Sequence, residues 1–326
     1  MKTAVLGAGT IIPDFLQAAD KIEELEVCAI FGRESSLARM REFQRQYGIE
    51  KIYHDYDQLL KDPQVEAVYV ALPNHLHYTF AKKAVENKKH VIVEKPFAST
   101  YGQAEELVRI AGQNQVVVFE AISNQYMPNY QKTRELVKEL GDIKIVQLNY
   151  SQYSRRYDLF KEGTTLPVFD PKKSGGALMD LNVYNIHYVT GLFGKPDNIR
   201  YIANIERGID TSGILTMEYP GFKCVCVGAK DCKAPVSINV QGDKGYVHSD
   251  DPANVYGSFT FAHNGGEPRT IALNQGMPRL YYELRVFTDL VTRGNGQEAR
   301  EYNRHTLDVM EILDKARRQA GIDFGV

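Results

Sequence analysis

Thr3-Ala4-Val5-Leu6-Gly7-Ala8-Gly9-Thr10-Ile11-Ile12 opens the chain with an apolar run, two glycines one residue apart and a second apolar stretch. Residues 3–6 read as a short buried strand. The residues after the glycines read as the start of a helix, and Pro13 is compatible with its first turn. A glycine pair at such a junction permits a tight turn and leaves the helix N-terminus facing an anion, as in a dinucleotide-binding fold. The third position of that fingerprint holds Ile12 where glycine or alanine is usual. A lone Gly-x-Gly also occurs in ordinary strand-to-helix turns, so its neighbours decide.

Outward from this turn, apolar runs at 26–31, 67–71, 90–93 and 116–119 alternate with helical patterns at 35–47, 56–60, 76–86 and 102–113. Ser99-Thr100 supplies an N-cap for the last helix. Continuous Val, Ile and Ala runs are expected where helices cover both faces of a parallel sheet. The pattern predicts an α/β fold with an N-terminal, doubly wound Rossmann sheet. After about residue 120 the character changes. A helix at 129–140 leads into 144–153, a polar loop runs to about residue 176, and a helix follows at 177–193. Strand-like runs at 198–205, 212–219, 222–228, 236–240, 245–248 and 258–261 predict a mostly antiparallel sheet, and helices at 279–292 and 305–320 close the chain.

At 326 residues the chain is long enough for two domains. A formal net charge of −2 gives no basic stripe for nucleic acid, and no apolar run reaches the length of a membrane span. The first residues reach Gly7 too early to hold a signal-peptide core, so the expected compartment is the cytoplasm. Four cysteines are too few for a disulfide framework. Cys224 and Cys226 share one face of a strand and read as buried thiols; no metal site is expected, because no Cys-x-x-Cys or His pair accompanies them.

The second strand ends Ile30-Phe31-Gly32-Arg33-Glu34. NAD sites usually place an acidic residue there for the adenosine ribose; Gly32 followed by Arg33 suits the 2′-phosphate of NADP instead. Glu34 keeps NAD open as the alternative.

Two further segments, Ala71-Leu72-Pro73-Asn74-His75-Leu76-His77 and His90-Val91-Ile92-Val93-Glu94-Lys95-Pro96, stand at strand ends. With the opening turn, and with Phe169-Asp170-Pro171 and Gly175-Gly176-Ala177-Leu178-Met179-Asp180, the chain resembles the glucose–fructose oxidoreductase and inositol dehydrogenase (Gfo/Idh/MocA) family. The resemblance implies an NAD(P)-binding domain over 1–121. It also implies a substrate-binding and oligomerisation domain over 122–326, built on a large open sheet. The nucleotide contacts it implies are Gly7, Gly9, Thr10, Ile11, Ile12, Gly32, Arg33, Leu72, Pro73, Asn74, His77, Glu94, Lys95 and Gln125. Gln125 stands where many members have arginine. Lys95 matches the active-site lysine, followed by a bond to Pro96 that is cis in many members, and Asn74 and His77 are expected to flank the nicotinamide ribose.

Asp180, Tyr184 and His187 are spaced by four and three residues, which puts them on one helix face. Such a polar face usually turns to solvent, but its match to the family's Asp-x-x-x-His or Asp-x-x-x-Tyr pattern implies catalysis. Tyr184 resembles the glucose–fructose oxidoreductase and dihydrodiol dehydrogenase branches. Tyrosine titrates near pH ~10, too high for an efficient base at neutrality. A lysine ammonium at about 4 Å, with an effective dielectric of ~20, stabilises the phenolate by ~4 kcal/mol, opposed by burial and by Asp180. Tyr184 is therefore expected to exchange the substrate proton, with Lys95 polarising the same oxygen and Asp180 orienting them.

The expected activity is hydride transfer between nicotinamide and a sugar, polyol or trans-dihydrodiol. The alternatives are a redox-neutral lyase or glycoside-cleaving enzyme with bound NAD, and a non-catalytic NAD(P)-sensing regulator. Aromatic and arginine residues over 153–169 suit a polyhydroxylated or cyclic diol ligand, and equally read as core aromatics with a solvated arginine pair. A homodimer or a dimer of dimers is expected, since family members usually pair through the open sheet.

Overall fold

The structure is a computed structural model describing residues 1–294 and 296–326. Two compact units form: Met1–Ala121 with Met277–Leu307, and Ile122–Gly276 with Asp308–Val326.

The first unit is built on β1 (Lys2–Leu6), β2 (Glu26–Phe31), β3 (Lys51–Tyr53), β4 (Ala67–Val70), β5 (His90–Glu94) and β6 (Val118–Ala121). All pair in parallel, in the order β3-β2-β1-β4-β5-β6. The order reverses between β1 and β4, the switch point where such sheets open a crevice beyond the strands' carboxyl ends. The connecting helices are α1 (Ile12–Ala19), α2 (Leu37–Tyr47), α3 (Tyr56–Lys61), α4 (His77–Glu86) and α5 (Tyr101–Asn114). Every residue of β4 is buried, and Tyr69 stacks on Phe15 of α1 with ring centroids 4.0 Å apart. Buried side chains of this size contribute about 1.5–3 kcal/mol each, which is why unbroken apolar runs mark these strands. Thr100 caps α5, accepting from the Gln103 N–H. The sequence reading passes over β3, a three-residue edge strand with no fully buried side chain.

The second unit holds α6 (Pro128–Leu136), β7 (Ile143–Ser151), α7 (Arg155–Lys161), α8 (Val183–Phe193), β8 (Asn198–Glu206), β9 (Ile209–Glu218), β10 (Lys223–Ala229), β11 (Ser237–Gly242), β12 (Gly245–Ser249), β13 (Phe259–His263) and β14 (Arg269–Ile271). The sheet order is β14-β13-β12-β11-β7-β10-β9-β8. Only the β7–β10 pair is parallel among the described residues. Val146 and Leu148 of β7 point to the inner face with Cys224 and Cys226 of β10. Ile145, Ile202 and Ile214 stay exposed. Val225 and Val227, on the face opposite Cys224 and Cys226, are half-buried. Two short elements escape the sequence reading: α7, inside the expected polar loop, and β14 at the sheet edge.

α9 (Tyr281–Thr292) packs on α1 and β6, so the sequence boundary at 121/122 misses the return of 277–307 to the first unit. α10 (Gly296–Gln319) follows it and begins nine residues before the expected 305–320 helix.

Candidate active site

In the first unit the turn after β1 is fixed by Gly7, whose φ of 117° suits glycine and whose added Cβ would lie 2.6 Å from the Ala71 carbonyl oxygen. At Gly9 an added Cβ meets nothing within 4 Å, so the backbone there fronts open space. That space is a cleft of about 540 Å³ lined by Gly7, Ala8, Gly9, Phe31, Gly32, Arg33, Ser35, Ser36, Ala71, Leu72, Pro73, Leu76 and Phe80. Its walls are mostly apolar, with a polar end at Arg33, Ser35 and Ser36, and they fit a dinucleotide: bare glycine backbone for phosphates and apolar sides for a ring. A Cβ at Gly32 would lie 2.8 Å from Met40 Sδ, so the acidic side chain of an NAD site would have to displace the Met40 thioether. Glu34 leans away on His54, with Nε2 3.5 Å from its carboxylate, while His54 Nδ1 bonds the Gly32 carbonyl.

Several expected contacts are placed differently. Ile12 is fully buried and its N–H turns back to the Gly9 carbonyl at 3.4 Å, so its side chain belongs to the core. Thr10 and Ile11 are not part of the cleft lining. His77 is buried and both of its ring nitrogens face main-chain carbonyls. Its Nδ1 lies 2.8 Å from the Pro96 carbonyl and its Nε2 2.7 Å from that of Leu72, making it a strut between two strand-end turns. Burial lowers its pKa, against the two carbonyls that favour the doubly protonated ring. Asn74 lies in the short helical turn Asn74–Leu76 beside that strut.

Lys95 follows β5, and its bond to Pro96 is cis. Its setting is acidic. Glu94 accepts a hydrogen bond from the Tyr69 hydroxyl; burial raises its pKa, with Tyr69, Lys95 and Arg279 opposing. Glu120 accepts from the Phe97 N–H at 3.1 Å and the Thr306 hydroxyl at 2.8 Å, which fixes the turn after the cis bond. Glu283 of α9 is 1% exposed, and neither carboxyl oxygen finds a hydrogen-bond partner among the described residues. Burial and the neighbouring Glu94 hold it well above the usual carboxylate range.

In the second unit the structure brings Asp180, Tyr184 and His187 onto one helical run. Leu178–Asn182 forms a π-turn in which the Val183 N–H reaches back to the Leu178 carbonyl, and α8 continues it. Such insertions recur at functional sites. The face is not solvated: His187 is fully buried and Tyr184 is 5% exposed, while the Asp180 side chain retains 32%. Amides secure the helix. Asn182 and Asn185 donate to the Cys226 and Val227 carbonyls of β10 at 3.2 and 3.0 Å. Asn124 donates to the Tyr184 carbonyl at 2.8 Å. Gln125, expected as a nucleotide contact, is also one of these struts, its amide nitrogen donating to the His187 carbonyl at 2.8 Å. Asp210 accepts the Leu178 N–H at 2.6 Å and the Tyr201 hydroxyl at 2.7 Å; burial raises its pKa to about 6 against those donors.

The sequence reading missed Lys230. It stands at the end of β10, 2% exposed, with its ammonium 2.5 Å from Asp180 Oδ2. The available signal was its position: a lysine closing an apolar strand, as Lys95 closes β5. The four cysteines are unpaired, and no group of metal ligands occurs among the described residues. No helix among the described residues is long and apolar enough to cross a membrane.

Comparison with known proteins extends this geometry. The family model described as "Oxidoreductase family, NAD-binding Rossmann fold" matches residues 1–122, and the "GFO/IDH/MocA C-terminal domain" matches 130–248. The chain is 30% identical to scyllo-inositol 2-dehydrogenase (NADP(+)) of Bacillus subtilis (strain 168), over 99% of this chain and 98% of that protein. It is 25% identical to trans-1,2-dihydrobenzene-1,2-diol dehydrogenase of Xenopus tropicalis, over 99% of both. Among solved structures, a 3-ketoreductase of Actinomadura kijaniata in complex with NADP and TDP-benzene shares the fold at a TM-score of 0.86 and 21% identity, covering 98% of this chain and 97% of that one.

Proposed function

The chain belongs to the GFO/IDH/MocA oxidoreductase family, and on that premise we propose that it is an NADP-dependent dehydrogenase of a cyclic polyol, acting on one secondary hydroxyl. As a family member it is an NAD(P)-dependent oxidoreductase. Its named relatives are dehydrogenases and a reductase, and they support the redox reading among the alternatives raised by the sequence.

The carrying observation for NADP is the end of β2. Met40 closes the space at Gly32, and Arg33, Ser35 and Ser36 line the adjoining cleft. A guanidinium and two hydroxyls are donors for a phosphate monoester and a poor match for a bare ribose diol. The relative at 30% identity carries NADP(+) and scyllo-inositol in its name, which supports both halves of the reading.

Gly7, Gly9, Arg33, Leu72 and Pro73 would hold the dinucleotide, and the bound nicotinamide supplies or accepts the hydride. The chain's own residues handle the proton. Lys95 stabilises the developing alkoxide, Tyr184 takes the hydroxyl proton during oxidation and returns it during reduction, and Asp180 orients a substrate hydroxyl. His187, wholly buried, supports the helix that carries Tyr184. The exposed face with Ile145, Ile202 and Ile214 fits a homodimer interface.

Titration of the purified protein with NADPH and NADH, followed by absorbance at 340 nm with a panel of inositols, aldoses and trans-dihydrodiols, tests the reading. NADPH preference with turnover of an inositol is expected. Turnover confined to aldoses or dihydrodiols overturns the polyol assignment, and tight nucleotide binding with no absorbance change on any substrate overturns the dehydrogenase.

A further inference from the structure

Lys230 is the least exposed lysine that the second unit places against a functional side chain, and every part of it is held. Its N–H donates to the Thr211 carbonyl at 2.8 Å, and Asp231 beside it accepts from the Thr211 and Ser212 hydroxyls at 2.8 and 2.7 Å. The strand end is therefore fixed before the side chain begins. The ammonium then makes three contacts. It donates to Asp180 Oδ2 at 2.5 Å and to the Val168 carbonyl at 3.2 Å, and it lies 4.9 Å from the centre of the Phe169 ring. Its side chain is 3% exposed where that of Asp180 is 32% exposed.

Those contacts join three pieces of chain that are distant in sequence. Asp180 is on the π-turn that starts the catalytic helix, Val168 and Phe169 are in the loop before it, and Lys230 ends β10. The loop contact extends outward. Phe169 stacks on Phe160 of α7 at 4.9 Å, and the Arg207 guanidinium covers the other ring at 3.6 Å. Two aromatic rings thus lie between a surface cation and a buried one, so the position of α7 is tied to that of Lys230.

We propose that Lys230 is a positioning residue of the active site: its ammonium fixes the carboxylate of Asp180 and docks the 166–170 loop on the catalytic helix. The inference rests on the reading of Asp180 as the substrate-orienting carboxylate. A buried ammonium favours the charged form of the carboxylate it donates to, and its strand-end anchor leaves that partner one position. Charge balance follows as well. Asp180 alone would oppose a phenolate at Tyr184 on the same helical run, whereas the Asp180–Lys230 pair is neutral.

The test is a double-mutant cycle of wild type, Lys230→Met, Asp180→Asn and the double variant, each loaded with NADP. Single variants leave a buried charge unpaired, so folding is checked by circular dichroism; the double variant removes both charges and is the form most apt to keep the fold. Turnover of the polyol should fall by about 100-fold in Lys230→Met with KM little changed, as for a misplaced catalytic group. Adding Lys230→Met to Asp180→Asn should cost less than about twofold more, because the lysine acts through the carboxylate. An equal loss in both backgrounds, or an unchanged kcat in Lys230→Met, overturns the proposal. Hydrogen exchange of residues 166–182 reads the docking without turnover. Both single variants should speed exchange across that segment, and unchanged exchange in Lys230→Met overturns the docking role even if no substrate of the wild type is found. Absence of wild-type turnover on every polyol, with exchange behaving as expected, would sink the polyol reading alone.

Discussion

The two units bury charge in opposite ways. Around Lys95 the first unit gathers Glu94, Glu120 and Glu283, and Glu283 has neither oxygen hydrogen-bonded among the described residues. The second unit pairs its buried cations, Lys230 with Asp180 and Arg317 with Asp314 on α10, and holds the buried Asp210 by neutral donors. Geometry explains the difference. A parallel sheet covered on both faces leaves little solvent for a carboxylate, so burial raises Glu94 and Glu283 toward the neutral acid. In the second unit Lys230 at the end of β10 meets Asp180 at the start of the helical run, and Arg317 meets Asp314 one turn away on α10. The first arrangement sets Lys95 among acids whose charge depends on burial. The second holds a carboxylate rigidly.

Breaking the first arrangement should have the largest effect. Lys95→Met is expected to lower kcat by about 10³-fold, within the range for loss of a proton-transfer or polarising group, while NADPH still quenches intrinsic tyrosine fluorescence with near-normal affinity. Retention of more than a tenth of wild-type turnover would place the essential cation elsewhere. Next in size is the nucleotide end of the same unit. Arg33→Ser should weaken NADPH binding by about 10- to 100-fold, the worth of a charge-assisted hydrogen bond, and leave NADH binding unchanged. Equal weakening of both nucleotides in a calorimetric titration would remove Arg33 from the 2′-phosphate.

The smallest effect sharpens the contrast in buried charge. Because the folded-state pKa of Glu283 is raised, its contribution to stability is complete below its unfolded value of about 4.5 and is lost as pH rises. Glu283→Gln keeps a neutral side chain of the same shape at every pH. Its melting temperature should match wild type near pH 4 and exceed it by about 2 °C or more at pH 8. A variant less stable than wild type at pH 8 would mean that the carboxylate is ionised and used.

How much of this was legible in the sequence follows from the same contrast. The parallel sheet announces itself because strands buried on both faces are unbroken Val, Ile and Ala runs, and its turns need glycine at fixed places such as Gly7. The catalytic helix could be located from the spacing of Asp180, Tyr184 and His187. Its burial could not, since the amides that hold it, Asn124, Gln125, Asn182 and Asn185, look like surface residues until β10 is placed beside them. His77 is a further case: the motif marks the histidine, but its two main-chain carbonyl partners come from turns the motif does not report. Lys230 was invisible because its partner lies 50 residues away, and no local pattern reports a pairing made by sheet topology. The return of α9 to the first unit was missed for the same reason.

The central claim is that the proton moves through Tyr184 while Lys95 supports it, and one variant addresses it directly. Tyr184→Phe removes a single oxygen from a side chain that is 5% exposed. Its kcat for oxidation of the polyol, measured at saturating NADP across pH 6–10 with nucleotide affinity checked separately, should fall by at least about 100-fold with binding intact. Near-normal turnover by Tyr184→Phe, alongside an inactive Lys95→Met, would make the lysine itself the acid and base and would contradict the account.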